Sequence, residues 1–261
     1  VVGQVYRSAL EELPPESRSF ISAQLSLVAV GGYGRSALAP YSDIDLLFLA
    51  GPDGAETPLI REFVCRLVRD LWDAGLQLSH SMRTIPDCIA AARGDLTIRT
   101  ALPEARLLIG EADQVAELRR RMQRLFASFP VNKLIAEILS ERVREHQDYP
   151  AQTVLLLEPN VKKSPGGLRD IHMLRWIALG RYRTQDLDRL EAEGALGKAD
   201  AAVLAEGQEF LQHIRHELHF RAGLAQDVLT RDEQVRIASW MGFADEGGLL
   251  GVERFMRHYY R

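Results

Sequence analysis

LVAVGGYGRSALAPYSDIDLLFL, residues 27–49, begins and ends in apolar runs that read as β-strands, with a glycine-rich turn and two aspartates between them. Successive side chains of a strand point to opposite faces, so Asp43 and Asp45 project together while Ile44 and Leu46 face the core. Two carboxylates held that close repel each other unless a cation sits between them. A hard divalent ion such as Mg²⁺, which prefers oxygen ligands and substrate phosphates, suits the pair. Gly31 and Gly32 let the backbone approach a phosphate, and the amides that follow can donate to it. The ten residues from Tyr33 to Ser42 are enough for a short helix that returns the chain beside the first strand. The combination reads as a nucleotidyl-transfer site, in which the glycines and Ser42 hold a triphosphate and the aspartates hold metal. Two Mg²⁺ ions would activate the attacking hydroxyl and neutralise the departing pyrophosphate.

Two other phosphate motifs fail on geometry. Gly32-x-Gly34-x-x-Ala37 after a strand matches the loose dinucleotide-binding fingerprint. That fold needs a long helix after the glycines and an acid about 20 residues on, at a strand's end. Here Pro40 interrupts such a helix, and the acids come early, at a strand's start. No Gly-Lys-Ser/Thr follows the glycines, so a P-loop is absent.

The 261 residues suffice for one large or two modest domains, and 46% hydrophobic with 26% charged residues is ordinary for a folded soluble protein. A net charge of −4 does not mark a polyanion-binding protein, so phosphate contacts must come from local basic clusters. No apolar run is long enough to cross a membrane, and VVGQVYRSAL lacks the apolar stretch of a leader. Cys65 and Cys88 lack the spacing of a zinc or disulfide scaffold; Cys65, on the apolar side of a helical pattern, reads as buried, and a reducing, cytoplasmic setting is expected.

Residues 1–24 read as helix broken at Leu13-Pro14-Pro15, followed by strands at 25–30 and 43–50. Leu59, Phe63, Leu67 and Leu71 form one helical stripe closed by Gly75, and 76–84 reads as a third strand. From about residue 85 the spacing is helical almost throughout, DLTIRTALPEARLLIG included, until an extended break at 155–170. After it helices resume. The sum is an α+β unit followed by a helical unit.

GGYGRSALAPYSDIDLLFL resembles the nucleotidyltransferase signature of the bacterial PII uridylyltransferase/uridylyl-removing enzymes. The likeness continues through GLQLSHSMRT, DLTIRTALPEARLLIG, EPNVKKSPGGLRDIHMLRWIA, RHELHFRAG and GVERFMRHYYR, in order along nearly the whole chain. The resemblance implies a polymerase-β-like nucleotidyltransferase core, a small mixed sheet with helices, in residues 1–110 (core from about 20). A helical domain at 111–261 would carry NVKKSPGGLRD. It implies transfer of UMP from UTP to a tyrosine of the PII signal protein, with Gly31 and Gly32 seating the phosphates and Asp43 and Asp45 binding Mg²⁺. Arg35 joins them as a nucleotide contact. Glutamine would act only on the full-length protein, through ACT domains that are not visible here. No His-Asp dipeptide occurs, so the uridylyl-removing HD centre is not expected in these residues. A fragment and a freestanding homologue both remain open, as do AMP transfer and a nucleotide sensor without catalysis. No nucleic acid or membrane partner is expected.

A third acid usually completes such sites. The third strand should carry it, yet Gln77 and His80 occupy the plausible positions, which leaves Glu104 as the choice over Asp95. In NVKKSPGGLRDI, Lys162, Lys163 and Arg169 surround the Gly166-Gly167 bend at a helix start, a pattern suited to a triphosphate or an acidic partner. His213, His216 and His219 at three-residue steps drift around a helix and do not converge on one metal. RRRMQR at 119–124 reads as solvated surface.

Overall fold

The apolar runs that flank the glycine turn pair with each other. The computed structural model describes residues 1–147 and 156–261, and the chain divides into two units: Val1–Leu38 with Ser42–Pro130, and Ala39–Tyr41 with Val131–Arg261. Asp148, Tyr149 and Leu155, which the expected helix and the expected extended break include, lie outside the described residues.

The first unit opens with helices α1 (Val2–Glu11) and α2 (Pro15–Gln24), the latter started by a proline whose missing N–H has no partner to lose. Strand β1 (Leu25–Ala29), a single helical turn α3 (Gly31–Gly34) and strand β2 (Ile44–Ala50) follow. β1 and β2 run antiparallel, from Leu25 opposite Ala50 to Ala29 opposite Leu46. Helix α4 (Pro58–Asp73) then crosses to strand β3 (Leu78–Thr84), which lies parallel to β2. Helices α5 (Ile85–Gly94) and α6 (Leu96–Ala101) lead to strand β4 (Arg106–Ile109), antiparallel to β1, and α7 (Ala112–Ser128) closes the unit. The sheet order β3-β2-β1-β4 makes the small mixed sheet of the expected α+β class.

Both faces of β1 and β2 are buried, and one of them packs on α4. Leu25 and Leu27 of β1 and Ile44, Leu46, Phe48 and Ala50 of β2 pack with Ile60, Phe63, Leu67 and Leu71 of α4. Each such side chain contributes about 1.5–3 kcal/mol on burial. The stripe on α4 runs through Ile60, Phe63, Val64, Leu67, Val68 and Leu71, which turns Cys65 outward; it is exposed, contrary to expectation, and Cys88 is the buried cysteine. The sequence also hides β4: RLLI reads as helix within DLTIRTALPEARLLIG, yet it pairs with β1 through Val28 opposite Leu107. Because α7 packs on α5 and β4, the first unit extends to Pro130, past the expected boundary at 110.

The second unit is helical: α8 (Val131–Gln147), α9 (Leu168–Tyr182), α10 (Leu187–Ala192), α11 (Lys198–Ala222), α12 (Arg231–Trp240) and α13 (Gly251–Tyr259). Its core gathers Leu211, Ile214 and Leu218 of α11 with Val161, Leu168, Leu229, Ile237 and Phe255. Among the described residues no helix is long and apolar enough to cross a membrane.

Candidate active site

Antiparallel pairing of β1 with β2 brings the end of β1, where the glycine turn begins, beside the start of β2, where the aspartates lie. The turn is tied down by backbone hydrogen bonds. Val30 N–H donates to the Asp45 carbonyl (3.1 Å), Gly34 N–H to Val30 (3.0 Å) and Ala37 N–H to Gly32 (3.0 Å). Gly31 has φ +57°, and a Cβ there would lie 2.8 Å from Asp45 Oδ2, so only glycine lets that carboxylate rest against the turn. Gly34 solves a different problem: a Cβ on it would meet the Glu104 carbonyl at 2.3 Å and the Ala29 carbonyl at 3.0 Å.

Asp43 sits one residue ahead of β2 and is exposed, Ile44 is buried in the core, and Asp45 is half-buried. The Ile44 amide donates to the Gln77 carbonyl at 2.9 Å, which places Asp43 at the mouth of a cleft of about 480 Å³. Trp72, Gly75, Leu76, Gln77, Leu78 and Ser79 line it with Asp43. Register puts Ser79 opposite Asp45 and His80 opposite Leu46. His80, which is exposed, therefore lies on the Leu46 side of the sheet, with its ring near Phe48 (6.2 Å) and Trp72 (6.3 Å).

Neither candidate third acid joins the pair in a cluster. The Glu104 carboxylate, whose side chain is only 3% exposed, is ion-paired with Arg35, and Asp95 caps α6 by accepting the Ile98 N–H at 3.1 Å. Among the described residues no three His, Cys, Asp or Glu side chains gather into a metal-binding group. Glu104 thus holds the guanidinium of Arg35, the residue that caps α3 by donating its N–H to Gly31. Arg106 supports the same turn, donating to the carbonyls of Tyr33 (2.7 Å) and Gly34 (3.3 Å) with its guanidinium over the Tyr33 ring (5.2 Å). Reading β4 as helix concealed Arg106. A short apolar run bracketed by Pro103 and Gly110 was the available strand signal. Ser42 is half-buried in the loop that re-enters the first unit.

In the second unit, NVKKSPGGLRD folds on itself. The Asn160 side chain accepts the amides of Lys162 (3.0 Å) and Lys163 (2.8 Å). The helix-start amides expected to face an anion are used internally: Gly167 donates to Ser164 (2.9 Å), Leu168 to Val161 (3.1 Å), Arg169 to Lys162 (2.9 Å) and Gly166 to Asp170 Oδ2 (2.7 Å). Gly166, at φ +79°, and Gly167, pressed on the Ser164 and Val161 carbonyls, shape the bend. Any ligand contact there falls to side chains. Burial, and then the positive charge of Arg215, push the Lys162 ammonium below the ordinary lysine value, with Arg169 and Lys163 adding to the effect and Asp227 opposing it. The three histidines of α11 separate as expected, with His213 exposed, His216 half-buried and His219 buried. Arg120 and Arg121 of the basic run pair with Glu117, while Arg119 holds the Ala105 carbonyl.

Known proteins resemble the chain over most of its length. The family model described as GlnD PII-uridylyltransferase matches residues 133–261. A bifunctional uridylyltransferase/uridylyl-removing enzyme of Pseudomonas savastanoi pv. phaseolicola is 43% identical over 242 residues, 92% of this chain and 26% of the relative. The same-named protein of Azospirillum brasilense is 41% identical over 234 residues, 90% of this chain and 25% of the relative. The chain thus spans about a quarter of the length of these relatives. These similarities, which cover 92% of this chain, place it in the family of bifunctional uridylyltransferase/uridylyl-removing enzymes.

Proposed function

We propose that the chain is a nucleotidyltransferase unit that moves UMP from UTP onto a tyrosine of the PII signal protein and releases pyrophosphate. The observation that carries this reading is the Asp45 carboxylate resting on the Gly31 turn, with Asp43 one residue ahead of the same strand. Two carboxylates beside a backbone that admits phosphate fit a Mg²⁺ site, since Mg²⁺ keeps waters and substrate phosphates as its remaining ligands. Asp43 and Asp45 would hold the ion or ion pair, and bound Mg²⁺ supplies charge neutralisation at the triphosphate. Gly31 and Gly32 give the phosphates close access to backbone, and Arg35 and Ser42 stand nearby in sequence. A tyrosine hydroxyl, with a solution pKa of about 10, needs its proton removed as it attacks the α-phosphate. No residue is assigned as that base.

Labelled UTP or ATP with Mg²⁺ and purified PII protein tests the reading. Transfer from UTP is expected. Transfer from ATP alone would make the chain an adenylyltransferase, and no transfer from either would leave a nucleotide sensor.

Lys162 yields a second prediction. Its proton is held more weakly in the folded chain than in the unfolded one, so between the lowered value and the ordinary 10.5 the unfolded state binds more protons and stability rises with pH. Lys162→Met is expected to raise Tm near neutral pH and to remove that alkaline gain. Thermal melting against pH measures both effects, and a lower Tm near neutral pH would refute the assignment.

A further inference from the structure

His219 is fully buried near the end of α11, and both of its ring nitrogens face oxygen. Nδ1 meets the carbonyl of Pro40, and Nε2 lies 2.9 Å from Asp227 Oδ1. A carbonyl only accepts. Asp227 also accepts from Arg215 Nε at 2.7 Å. Burial alone would raise the Asp227 carboxyl, but hydrogen bonding and charge from Arg215, with the bond to His219, outweigh it and hold the group below the usual carboxylate range. The ring is thus held between two oxygens, one from the glycine-to-aspartate loop and one from Asp227.

The gripped carbonyl belongs to Ala39–Tyr41, the three residues of the glycine-to-aspartate loop that pack with the second unit. Ala39 is buried, while Tyr41 is exposed and held at φ +59°, a left-handed conformation that costs a non-glycine residue about 1–2 kcal/mol. Such a loop keeps its shape only under outside restraint. Two residues beyond Tyr41 comes Asp43.

We propose that His219 is a positioning residue: an imidazole held between the Pro40 carbonyl and Asp227, itself anchored by Arg215, that fixes the loop delivering Asp43 to the Mg²⁺–UTP site. The consequence for catalysis rests on the transferase reading above; the clamp on the loop does not. The ring joins α11 of the second unit to the chain that enters the aspartate pair, so packing of the helices is transmitted along the backbone to the metal-binding carboxylate.

Nitrogen-15 spectra of histidine-labelled chain read the clamp directly, without substrate. The His219 ring is expected to show hydrogen bonding to both the Pro40 carbonyl and Asp227; a ring lacking the contact with Pro40 would overturn the clamp whether or not the chain transfers UMP. In the transfer assay, His219→Gln keeps one contact and loses the other. We expect kcat to fall on the order of a hundredfold, as small misplacements of reacting groups do, and the half-saturating Mg²⁺ concentration to rise, with KM for UTP little changed. Asp227→Asn, isosteric and uncharged, should raise the Mg²⁺ requirement in the same sense and serves if His219→Gln does not fold. Folded variants with wild-type Mg²⁺ dependence would overturn the positioning role. Absence of transfer in the unsubstituted chain would count against the transferase reading alone.

Discussion

Asp45→Asn is expected to lower UMP transfer by at least about a hundredfold while leaving the chain as stable as before, or more so. The two halves of this result have one cause. Asp43 and Asp45 flank the buried Ile44, and without a cation their charges repel. Asparagine keeps the shape that Gly31 accommodates, where a Cβ on the glycine would stand 2.8 Å from Asp45 Oδ2, but removes the charge. The fold loses a repulsion, and the site loses the charge that neutralises a triphosphate, a kind of preorganised stabilisation whose removal costs roughly 10²–10³ in rate. Asp43→Asn should act in the same direction. Label transfer and thermal melting on the same preparations separate the effects. A variant that loses activity only in proportion to lost stability would place these aspartates in the scaffold and not in the chemistry.

Gly34→Ala is expected to be the most damaging single methyl in the first unit. The added carbon would sit 2.3 Å from the Glu104 carbonyl and 3.0 Å from that of Ala29. Both neighbours are backbone, one in β1 and the other just before β4, so neither yields without moving the sheet. Overpacking of this kind costs about 3 kcal/mol or more. The carbonyls of Tyr33 and Gly34 would also leave the Arg106 guanidinium, and the turn that faces Asp45 would shift. Gly207→Ala supplies the contrast: it lies inside α11 with nothing within 4 Å of a built Cβ, so alanine's better helix propensity should stabilise by about 0.5–1 kcal/mol. Denaturant unfolding of the two variants checks sign and size together.

The first half of the fold could be read because its signals are local. Two apolar runs around a glycine turn, a proline-started helix and a stripe from Phe63 to Leu71 each state their structure within a few residues. The α4 stripe holds at Phe63, Leu67 and Leu71, and Cys65, read as buried, lies off it and is exposed. β4 was lost because four residues with no alternation look the same as helix core until β1 supplies the partner strand. For the site, spacing alone put the glycines and the aspartates at neighbouring strand ends, where the fold also places them. Glu104 was not: its pairing with Arg35 spans 69 positions, and no local pattern tells a metal-binding acid from one that holds a guanidinium. The same holds for His219, whose partners Pro40 and Asp227 lie 179 and 8 residues away. At the lysine–glycine bend the helix-start amides were read as open to an anion, whereas local carbonyls and Asp170 take them.

The paired carboxylates are the centre of the account, and a crystal of the chain grown with UTP and Mn²⁺ in place of Mg²⁺ tests them most directly through the anomalous signal of manganese. The predicted map has manganese bound by Asp43 and Asp45 together and by oxygens of a triphosphate lying on Gly31 and Gly32. Manganese at any other place, with those two carboxylates turned from the phosphates, would contradict the account.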